Sequence, residues 1–457
     1  MSRTGGGRSS PVRDSAKYVI SSALCRPPSG SATNGTAALG RCSTVRYILS
    51  AVLSVTIACP DCGVLQDVLP LPPRSTAVCL GCKRDLEKTS GRSITAALAC
   101  SLATFLLLFP SNALPLLRVD MFGMHAQNLI GEGIANLWDH QWIVLAGLTA
   151  GLVIAIPLFR FGLLSVVLGA LRLGYRPPWL GPAFRWAMWL DPWGMTDVFL
   201  LASFVGFYRL INLSQADVSI QLGGASFMAA GFLTMLSRAA LDRRTVWRWV
   251  GPEVRVPPGT ETVSCTACDL VQPLPREGHA CPRCGAKLQA RKPDAIVRTT
   301  ALLIAALIFY IPANIFPMNI SNQLGNQVGY TIFTGVRDLF ESGLWPLGVI
   351  VFCTSILIPL AKIVAIGWCV LSVWRPSQKH LVAKTKIFRL VAELGRWSKT
   401  DPFTIVFFVP LVHFGALASA NAGWGAPAFM MMTVLTMFAS VTFDPRLMWD
   451  AASERPA

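Results

Sequence analysis

Residues 58–83 read ACPDCGVLQDVLPLPPRSTAVCLGCK, which contains two Cys-x-x-Cys pairs separated by sixteen residues. This spacing is typical of small zinc-binding modules, in which four thiolates complete a tetrahedral shell. About a dozen residues after the last cysteine the chain continues as ITAALACSLATFLLLF (94–109), which has the composition of a membrane-spanning helix. A metal-binding module therefore stands directly before a membrane segment.

The composition indicates a membrane protein. Of the 457 residues, 53% are hydrophobic and only 14% are charged, whereas soluble proteins carry about 25% charged residues. The net charge of +16 does not indicate a nucleic-acid partner, because the basic residues lie in short loops between apolar segments. Such a distribution encodes membrane topology, and we expect no nucleic-acid binding.

The N-terminal stretch is predicted to carry no function. It is rich in Gly, Ser, Arg and Pro, without hydrophobic periodicity. Its one apolar run, YILSAVLSVTIA (47–58), has about twelve residues and is too short to span a bilayer. We interpret residues 1–55 as a disordered tail or as an extension from a misplaced start codon.

Eight of the thirteen cysteines form four Cys-x-x-Cys pairs. The two pairs in the first half of the chain form one group of four metal ligands, and the two pairs in the second half form another. This grouping predicts two structural zinc ions, each with a closed four-cysteine shell. Iron has the same ligand preference and is not excluded. The alternative interpretation is that the pairs are redox-active. The predicted metal ligands are Cys59, Cys62, Cys79, Cys82, Cys265, Cys268, Cys281 and Cys284.

The two halves of the chain repeat each other. FPSNALPLL (109–117) aligns with IPANIFPMN (311–319), and AIPLFR (155–160) aligns with LIPLAK (357–362), both at an offset of 202 residues. The cysteine groups follow nearly the same offset, so each predicted zinc ribbon belongs to one duplicated unit. The predicted domains are ribbon 1 (56–92), transmembrane unit 1 (93–242), ribbon 2 (261–292) and transmembrane unit 2 (293–446).

The predicted fold is an all-α polytopic membrane protein with two tandem repeats. Each repeat is a four-cysteine zinc ribbon followed by a four-helix transmembrane unit, which gives about eight transmembrane helices. The second segment of each half is long enough to tilt or to project from the membrane. The predicted segments are 94–117, 141–171, 196–213, 220–240, 297–318, 345–374, 401–419 and 426–443.

Basic residues set the predicted orientation. They are concentrated on the side of the membrane that carries the ribbons, and the opposite loops hold few of them. By the positive-inside rule, both ribbons and the termini are cytoplasmic, in a compartment that keeps thiols reduced.

Ionisable residues inside apolar segments are functional pointers, because their burial is costly. We predict a polar network that pairs Arg160 with Asp197 in the first half and Lys362 with Asp401 in the second. The competing interpretation is that Arg160 and Lys362 reach the cytoplasmic headgroups. The network candidates are Arg160, Asp197, Ser355, Lys362, Ser398 and Asp401.

A Pro-x-Asn-x-x-Pro motif stands near the outer end of the first segment in each half. Proline removes a backbone donor and kinks a helix, and asparagine can satisfy freed backbone groups or face a polar cavity. A helix-ending role and a substrate contact both remain open. The motif residues are Pro110, Asn112, Pro115, Pro312, Asn314 and Pro317.

In combination, these motifs resemble the paraquat-inducible protein A family. The resemblance rests on CPDC…CLGC and CTAC…CPRC, PSNALP and PANIFP, IPLFR and IPLAK, and TDVF and TDPF, and it covers about residues 56–445. It implies an integral inner-membrane protein that works with a periplasmic protein built of mammalian-cell-entry (MCE) domains. It further implies that the chain loads or accepts phospholipid for that partner.

Three functions are weighed against one another. The first is a lipid-transport component and not an enzyme. It carries no nucleotide-binding Gly-x-x-x-x-Gly-Lys-Ser/Thr motif, so its energy would come from an ion gradient, from another subunit or from no source at all. The second is a membrane thiol-redox protein that uses its Cys-x-x-Cys pairs. The third is a small-solute secondary transporter, a class in which duplicated halves are common.

Overall fold

The protein is described here from a computed structural model, which covers residues 55–68, 75–88, 94–121, 124–211, 217–251, 253–254, 256–257, 260–274, 278–323, 326–378, 380–394 and 418–453. Within these residues the chain is mostly helical, with short strands between helices. The predicted N-terminal tail, except its last residue, and positions 401–417 of the predicted seventh segment lie outside this part.

In the first half, the first apolar helix packs along the last apolar helix of the unit. Shorter helices with an apolar face lie between the long ones: the second helix, for example, buries Ile130, Gly133 and Leu137, which recur at helical spacing. The helices are α1 (Ile94–Ala113), α2 (Ile130–Asp139), α3 (Ile143–Arg172), α4 (Leu180–Leu190), α5 (Thr196–Ile211), α6 (Leu222–Ala240) and α7 (Arg243–Val250).

The second half repeats this order over its described residues. Its first helix packs along its last apolar helix, as α1 packs along α6 in the first half. The helices are α8 (Ala295–Ile315), α9 (Ile332–Glu341), α10 (Trp345–Trp374), α11 (Leu381–Leu394), α12 (Gly425–Thr442) and α13 (Arg446–Ser453).

Five described helices are long and apolar enough to cross a membrane: α1, α3, α8, α10 and α12. Helix α6 joins them only together with α7, from which it is bent by 67°. Helix α5, with 16 residues, is shorter than the roughly 20 that a span normally needs. The described residues therefore contain five or six candidate spans.

The second span of each half is a single helix of 30 residues, about 45 Å long at 1.5 Å per residue. This length exceeds the roughly 30 Å of hydrocarbon. Each helix widens into π-helical turns, at Ala150–Ala155 and Cys353–Leu357. A proline follows within two residues, Pro157 or Pro359, and its missing N–H interrupts the regular backbone ladder at this point.

Two three-stranded antiparallel sheets add strands that the all-α prediction did not include. In each sheet a hairpin follows the first span, and the third strand comes from just before the last apolar helix. The strand order is β6-β5-β7 for β5 (Leu117–Met121), β6 (Met124–Asn128) and β7 (Asp217–Ile220). It is β11-β10-β12 for β10 (Asn319–Gln323), β11 (Asn326–Tyr330) and β12 (Ala418–Ala422).

Glycines at the start of the last apolar helices allow the backbone to pass closely. A Cβ atom on Gly223 would lie 2.3 Å from the carbonyl oxygen of Leu114, and one on Gly425 would lie 2.5 Å from that of Phe316. Leu114 and Phe316 are equivalent positions of the repeat. Only glycine permits this approach, so both halves join the end of their first span to the start of their last in the same way.

Each cysteine group lies in a small ribbon of antiparallel pairings. Ribbon 1 contains β1 (Val55–Ala58) with β2 (Leu65–Val68) and β3 (Thr76–Val78) with β4 (Asp85–Lys88). Ribbon 2 contains β8 (Thr262–Ser264) with β9 (Val271–Pro273), and a bridge between Ala280 and Lys287.

Each ribbon packs its metal-binding turns against the half to which it does not belong. Each also pairs with its own unit, through Glu87 with Arg248 of α7 and through Arg291 with Asp450 of α13. Ribbon 1, which precedes unit 1, packs against Trp449 of α13 and bonds to Arg389 of α11. Ribbon 2, which precedes unit 2, shares a core with Phe184 of α4 and Trp247 of α7. We call this arrangement crossed docking, and it ties the two halves of the chain together on the ribbon side.

The two halves also share one apolar core. Trp142 at the start of α3 meets Trp424 with ring centroids 4.8 Å apart, and Trp193 meets Phe438 at 4.6 Å. Aromatic contacts at these distances stabilise beyond their buried area. The second span of unit 1 and the last span of unit 2 therefore pack as parts of one body.

Candidate functional site

All four Cys-x-x-Cys turns adopt one backbone geometry. The first cysteine of each turn donates its N–H to a carbonyl five residues on, as in Cys59 to Val64 (3.0 Å). The residue after the second cysteine has a left-handed conformation in every turn. Glycine occupies this place in two turns, and Lys83 (φ 59°) and Asp269 (φ 56°) occupy it in the other two.

The sulfur positions fit a tetrahedral metal ion. Two contacts join different turns, with Cys59 Sγ to Cys82 Sγ and Cys62 Sγ to Cys79 Sγ at 3.5 Å, and all four sulfurs lie within 4.8 Å of one another. The two corresponding distances in ribbon 2 are both 3.6 Å. A zinc ion with Zn–S bonds of about 2.3 Å would hold its sulfurs about 3.8 Å apart. All eight predicted ligands are thus brought into two groups that could each hold a metal ion.

A glutamine beside each group donates to a sulfur. Gln66 Nε2 lies 3.0 Å from Cys79 Sγ, and Gln272 Nε2 lies 3.5 Å from Cys281 Sγ. The two glutamines are equivalent in the repeat, and so are the two sulfurs. A hydrogen bond to a thiolate from the surrounding shell orients the ligand and stabilises its charge.

The crowding of sulfur atoms splits the pKa values of the thiols. Hydrogen bonds from Cys59 and Cys62 lower the pKa of Cys82 to about 4, whereas hydrogen bonds with Cys59 and Cys82, together with burial, raise the pKa of Cys62. Four buried thiolates repel one another unless a cation lies among them. A metal ion would remove this conflict, because a coordinating thiol is deprotonated.

Ribbon 1 is joined to α11 by a buried ion pair next to its metal ligands. Asp61, 3% exposed, accepts from Arg389 Nε at 2.5 Å and also pairs with Arg84. Arg389 Nη2 donates to the carbonyl oxygen of Cys82 at 3.0 Å. One arginine of unit 2 therefore contacts both Cys-x-x-Cys turns of ribbon 1.

Ribbon 2 meets unit 1 through direct backbone contact. A Cβ atom on Gly181 of α4 would lie 1.9 Å from the carbonyl oxygen of Arg283, which stands between two metal ligands. Helix α4 therefore needs glycine at this position to reach the ribbon. In both ribbons the docking surface is formed by the metal-binding turns themselves.

A cluster of charged side chains lies inside unit 1. Arg160, 1% exposed, places Nη2 2.5 Å from Asp191 Oδ1. Asp191 also accepts from Arg238 Nε and Arg243 Nη2, both at 3.0 Å, and Asp197 pairs with Arg238. The predicted direct pair of Arg160 with Asp197 is therefore wrong: Asp191 is nearer, and Arg238 links the two acidic residues.

Sequence reasoning did not find three members of this cluster, Asp191, Arg238 and Arg243. Arg238 lies in the last turn of α6, near the end of a candidate span, where a basic residue is ordinarily read as an interfacial anchor. Asp191 ends the short helix α4, where an acidic residue suggests a loop. The sequence did hold one signal for a further acidic residue. Two basic residues, Arg160 and Arg238, lie in apolar segments of unit 1, and Asp197 alone cannot balance both charges.

Lys362 is buried in unit 2. It is 2% exposed, and Ser355 in the π-helical turn of the same helix is fully buried. Like Arg160, Lys362 is enclosed by protein, and the interpretation that these side chains extend to the headgroups stays the alternative. The predicted partners Ser398 and Asp401 lie outside the described residues, so the network in unit 2 stays a prediction.

The Pro-x-Asn-x-x-Pro motif ends the first helix of each half. Pro110 lies inside α1, and Asn112 Nδ2 donates to the carbonyl oxygen of Leu108 at 2.6 Å; Asn314 and Tyr310 repeat this bond in α8 at 2.8 Å. The helices stop at positions 113 and 315, and Pro115 and Pro317 follow two residues later. This geometry accounts for a helix-ending role, whereas a substrate contact stays a prediction.

Comparison with known proteins assigns the family. The family model described as "Paraquat-inducible protein A" matches residues 94–251 and again residues 296–453. The chain belongs to the paraquat-inducible protein A family. The two matched regions start 202 residues apart, which confirms the tandem repeat predicted from the sequence, and this family match also confirms the resemblance.

Curated relatives of this family match nearly end to end. "Intermembrane transport protein PqiA" of Escherichia coli is 29% identical over 410 residues, which covers 87% of this chain and 96% of the relative. "Lipophilic envelope-spanning tunnel protein A" of the same species is 27% identical over 395 residues, 86% of this chain and 91% of the relative.

A third relative, "Probable intermembrane transport protein" of Haemophilus influenzae, is 25% identical over 408 residues, 86% of this chain and 95% of the relative. No solved structure matches. The relatives of this family member are thus named as transport proteins, and their matches extend over ribbons and spans alike.

Proposed function

We propose that this chain is the inner-membrane component of an MCE-type lipid transport system. It moves or loads phospholipid between the inner membrane and a periplasmic tunnel protein, and so maintains the envelope. The observation that carries this proposal is the near end-to-end match to relatives named as intermembrane transport and envelope-spanning tunnel proteins. In this role the chain is a transport component and not an enzyme.

The proposed topology has eight spans, four in each unit. The five or six candidate spans of the described residues are completed by α5 and by residues 401–419. The ribbons, 56–92 and 261–292, and the termini face the cytoplasm, as the positive-inside rule requires. The transmembrane units occupy 93–242 and 293–446.

Each ribbon holds one zinc ion with a structural role. The sulfur distances of 3.5–3.6 Å suit a tetrahedral four-thiolate shell, and these contacts join different Cys-x-x-Cys turns. A redox cycle within one pair would have to break this arrangement. The geometry therefore favours a scaffold that positions α11 and α13 on one side and α4 and α7 on the other.

The two units differ in the charge that they bury. Unit 1 compensates Arg160 with Asp191 and its neighbours. TDVF (196–199) aligns with TDPF (400–403) at an offset of 204 residues, which places Gly395 at the position of Asp191 in unit 2. In unit 2, Lys362 therefore interacts with Asp401, Ser355 and Ser398 instead. Buried ionisable groups in spans mark transport pathways, and we assign the Lys362 network to lipid movement.

The test of the function is a pull-down of the full-length chain from its own inner membrane. We expect a periplasmic MCE-domain protein and bound phospholipid to co-purify. A wild-type chain that yields neither, while it retains its metal and its fold, would overturn the proposal. Uptake of a small solute by the purified chain in vesicles, without lipid binding, would favour the secondary-transporter alternative.

The role of Lys362 is tested by Lys362→Ala in a strain that lacks the native protein. We expect the variant to be produced at the normal level but to fail to restore envelope integrity. The matched control is Lys386→Ala, which removes an exposed lysine of the same unit and should restore it. Full complementation by Lys362→Ala would contradict the role of the network.

A further inference from the structure

A cavity of about 470 Å³ lies beside the charged cluster of unit 1. It is formed by Arg160 of α3, Arg238 at the end of α6 and Arg243 at the start of α7, and Glu393 of α11 contributes from the other half. Small-molecule sites range from about 300 to 1,000 Å³. The cavity therefore has the size of a binding site and runs from exposed side chains to the buried Arg160.

Arg160 has donors left over. Its Nη2 bonds to Asp191, but Nε and Nη1 are buried and have no hydrogen-bond partner among the described residues. A buried donor without a partner is costly, and more so on a charged group. Since Arg160 lines the cavity, an acceptor inside the cavity is the simplest way to satisfy this guanidinium.

Arginine side chains supply hydrogen-bond donors at this place. Three arginines, Arg160, Arg238 and Arg243, are linked to two carboxylates, those of Asp191 and Asp197. Glu393 is a third carboxylate of the cavity lining and balances the third arginine, so it is the unpartnered Nε and Nη1 of Arg160 that offer hydrogen bonds to an acceptor. Guanidinium groups are the preferred partners of phosphate in proteins.

Apolar groups complete the cavity. Met235, Ala239 and Leu241 line it beside the arginines, and all three lie on or just after the last turns of α6, at the end of a candidate span. An amphiphile with its phosphate at the arginines would thus continue along an apolar helix surface. A free phosphate ion would leave this part of the cavity unused.

We propose that this cavity binds the phosphate of a phospholipid headgroup, with Arg160 as its anchor. The proposal rests on the proposed function in that the ligand is a transported or regulatory phospholipid. Unit 2 does not repeat the site. Gly395 stands at the position of Asp191 at an offset of 204 residues, and Ser440 and Pro445 stand at the positions of Arg238 and Arg243 at an offset of 202.

The experiment measures ligand-dependent thermal stabilisation of the full-length protein in detergent. The probes are short-chain phosphatidylglycerol, the corresponding diacylglycerol without phosphate, and inorganic phosphate. Two variants impair the site differently: Arg160→Gln removes the anchor, and Ala239→Trp fills the cavity from an exposed position without a change of charge. The matched control, Leu236→Trp, adds the same side chain to the same helix at an exposed residue outside the cavity lining.

We expect phosphatidylglycerol, but not diacylglycerol, to stabilise the wild type. Ala239→Trp and Arg160→Gln should each weaken its apparent affinity at least tenfold, and Leu236→Trp should not. Equal affinity of Ala239→Trp and the wild type would overturn the site. Stabilisation by inorganic phosphate at the same concentration as the lipid, lost in the same variants, would overturn the lipid assignment and identify a free anion.

Phospholipid transfer between vesicles separates this proposal from the proposed function. Wild-type transfer together with unimpaired binding by Ala239→Trp would show that the function holds and the site is wrong. Absence of bound phospholipid and of transfer in the wild-type protein with its periplasmic partner would refute the function itself.

Discussion

The crossed docking of ribbon 1 makes a measurable prediction about one ion pair. Asp61 in ribbon 1 and Arg389 in α11 are 328 residues apart in sequence, and their side chains meet at 2.5 Å. Asp61→Asn removes one charge and keeps the size of the side chain, and Arg389→Gln removes the opposite charge and leaves a shorter polar side chain. If the docking is as described, the two substitutions must not be additive.

The structure sets the magnitude of the coupling. A hydrogen bond to a charged group contributes about 1.5–3 kcal/mol, and Asp61 is buried while Arg389 is about a quarter exposed. Asp61 keeps Arg84 when Arg389 is replaced, so no charge is left alone. We therefore expect a coupling energy of about 1.5–3 kcal/mol. Arg389→Gln alone should cost about 1 kcal/mol more, because the carbonyl of Cys82 also loses its donor.

The assay is the thermal midpoint of the zinc-loaded, detergent-solubilised protein for the wild type, both single variants and the double variant. The coupling corresponds to roughly 3–12 °C at about 2–4 °C per kcal/mol. Zinc content, measured in parallel, should stay at two ions because no ligand is changed. The control cycle uses Arg337 and Glu341, an exposed pair on α9, which should show no measurable coupling. Additive losses for Asp61 and Arg389, within about 0.5 kcal/mol, would refute crossed docking.

Three further predictions concern metal, packing and pH. The purified protein should contain two zinc ions by elemental analysis, and Cys281→Ser should lower this to one, whereas replacement of the buried Cys369, which is outside both groups, should leave two. Gly223→Ala should destabilise the protein by about 1–3 kcal/mol, since its Cβ would overlap the carbonyl of Leu114; Gly147→Ala, with open space around its Cβ, should be neutral or stabilising in the same melting assay. Burial raises the pKa of Asp444, but hydrogen bonds from Arg446 outweigh it and lower that pKa. The stability that Asp444 contributes is therefore complete above the unfolded pKa of about 3.9 and is lost as the pH falls below this value. The difference in melting temperature between the wild type and Asp444→Asn should shrink below about pH 4 and stay constant above it.

Features that depend on local spacing could be predicted from the sequence. The ligands of each metal group lie within 24 or 20 consecutive residues, and a Cys-x-x-Cys turn sets the positions of two sulfurs by itself. The repeat was visible because both halves kept the same proline and asparagine positions. These features required no knowledge of which segments pack together.

Features that depend on distant contacts could not be predicted. Strand β7, which completes the sheet of β5 and β6, lies four helices later in the sequence. Without knowledge of this partner, the segments of β5 and β6 are interpreted as part of a loop. Arg160 was expected to pair with Asp197 on the pattern of Lys362 and Asp401, but α4 brings Asp191 closer. Sequence alone gives the charges of a buried cluster, whereas the turn between α4 and α5 decides which of them meet.

Crossed docking also has a consequence for the order in which the chain is made. Ribbon 2 emerges after α4 and α7, so its docking surface already exists, whereas ribbon 1 must wait for α11, 328 residues after Asp61. At a synthesis rate of about 5–20 residues per second, this delay lasts roughly 15–65 seconds. During that time ribbon 1 can take up its metal, because its four ligands are already complete, but Asp61 has only Arg84 as a partner. The N-terminal metal site is thus completed first, and its contact with α11 forms last. A ribosome that stops before α11 leaves Asp61 without Arg389, although Glu87 of the same ribbon can already pair with Arg248 of α7.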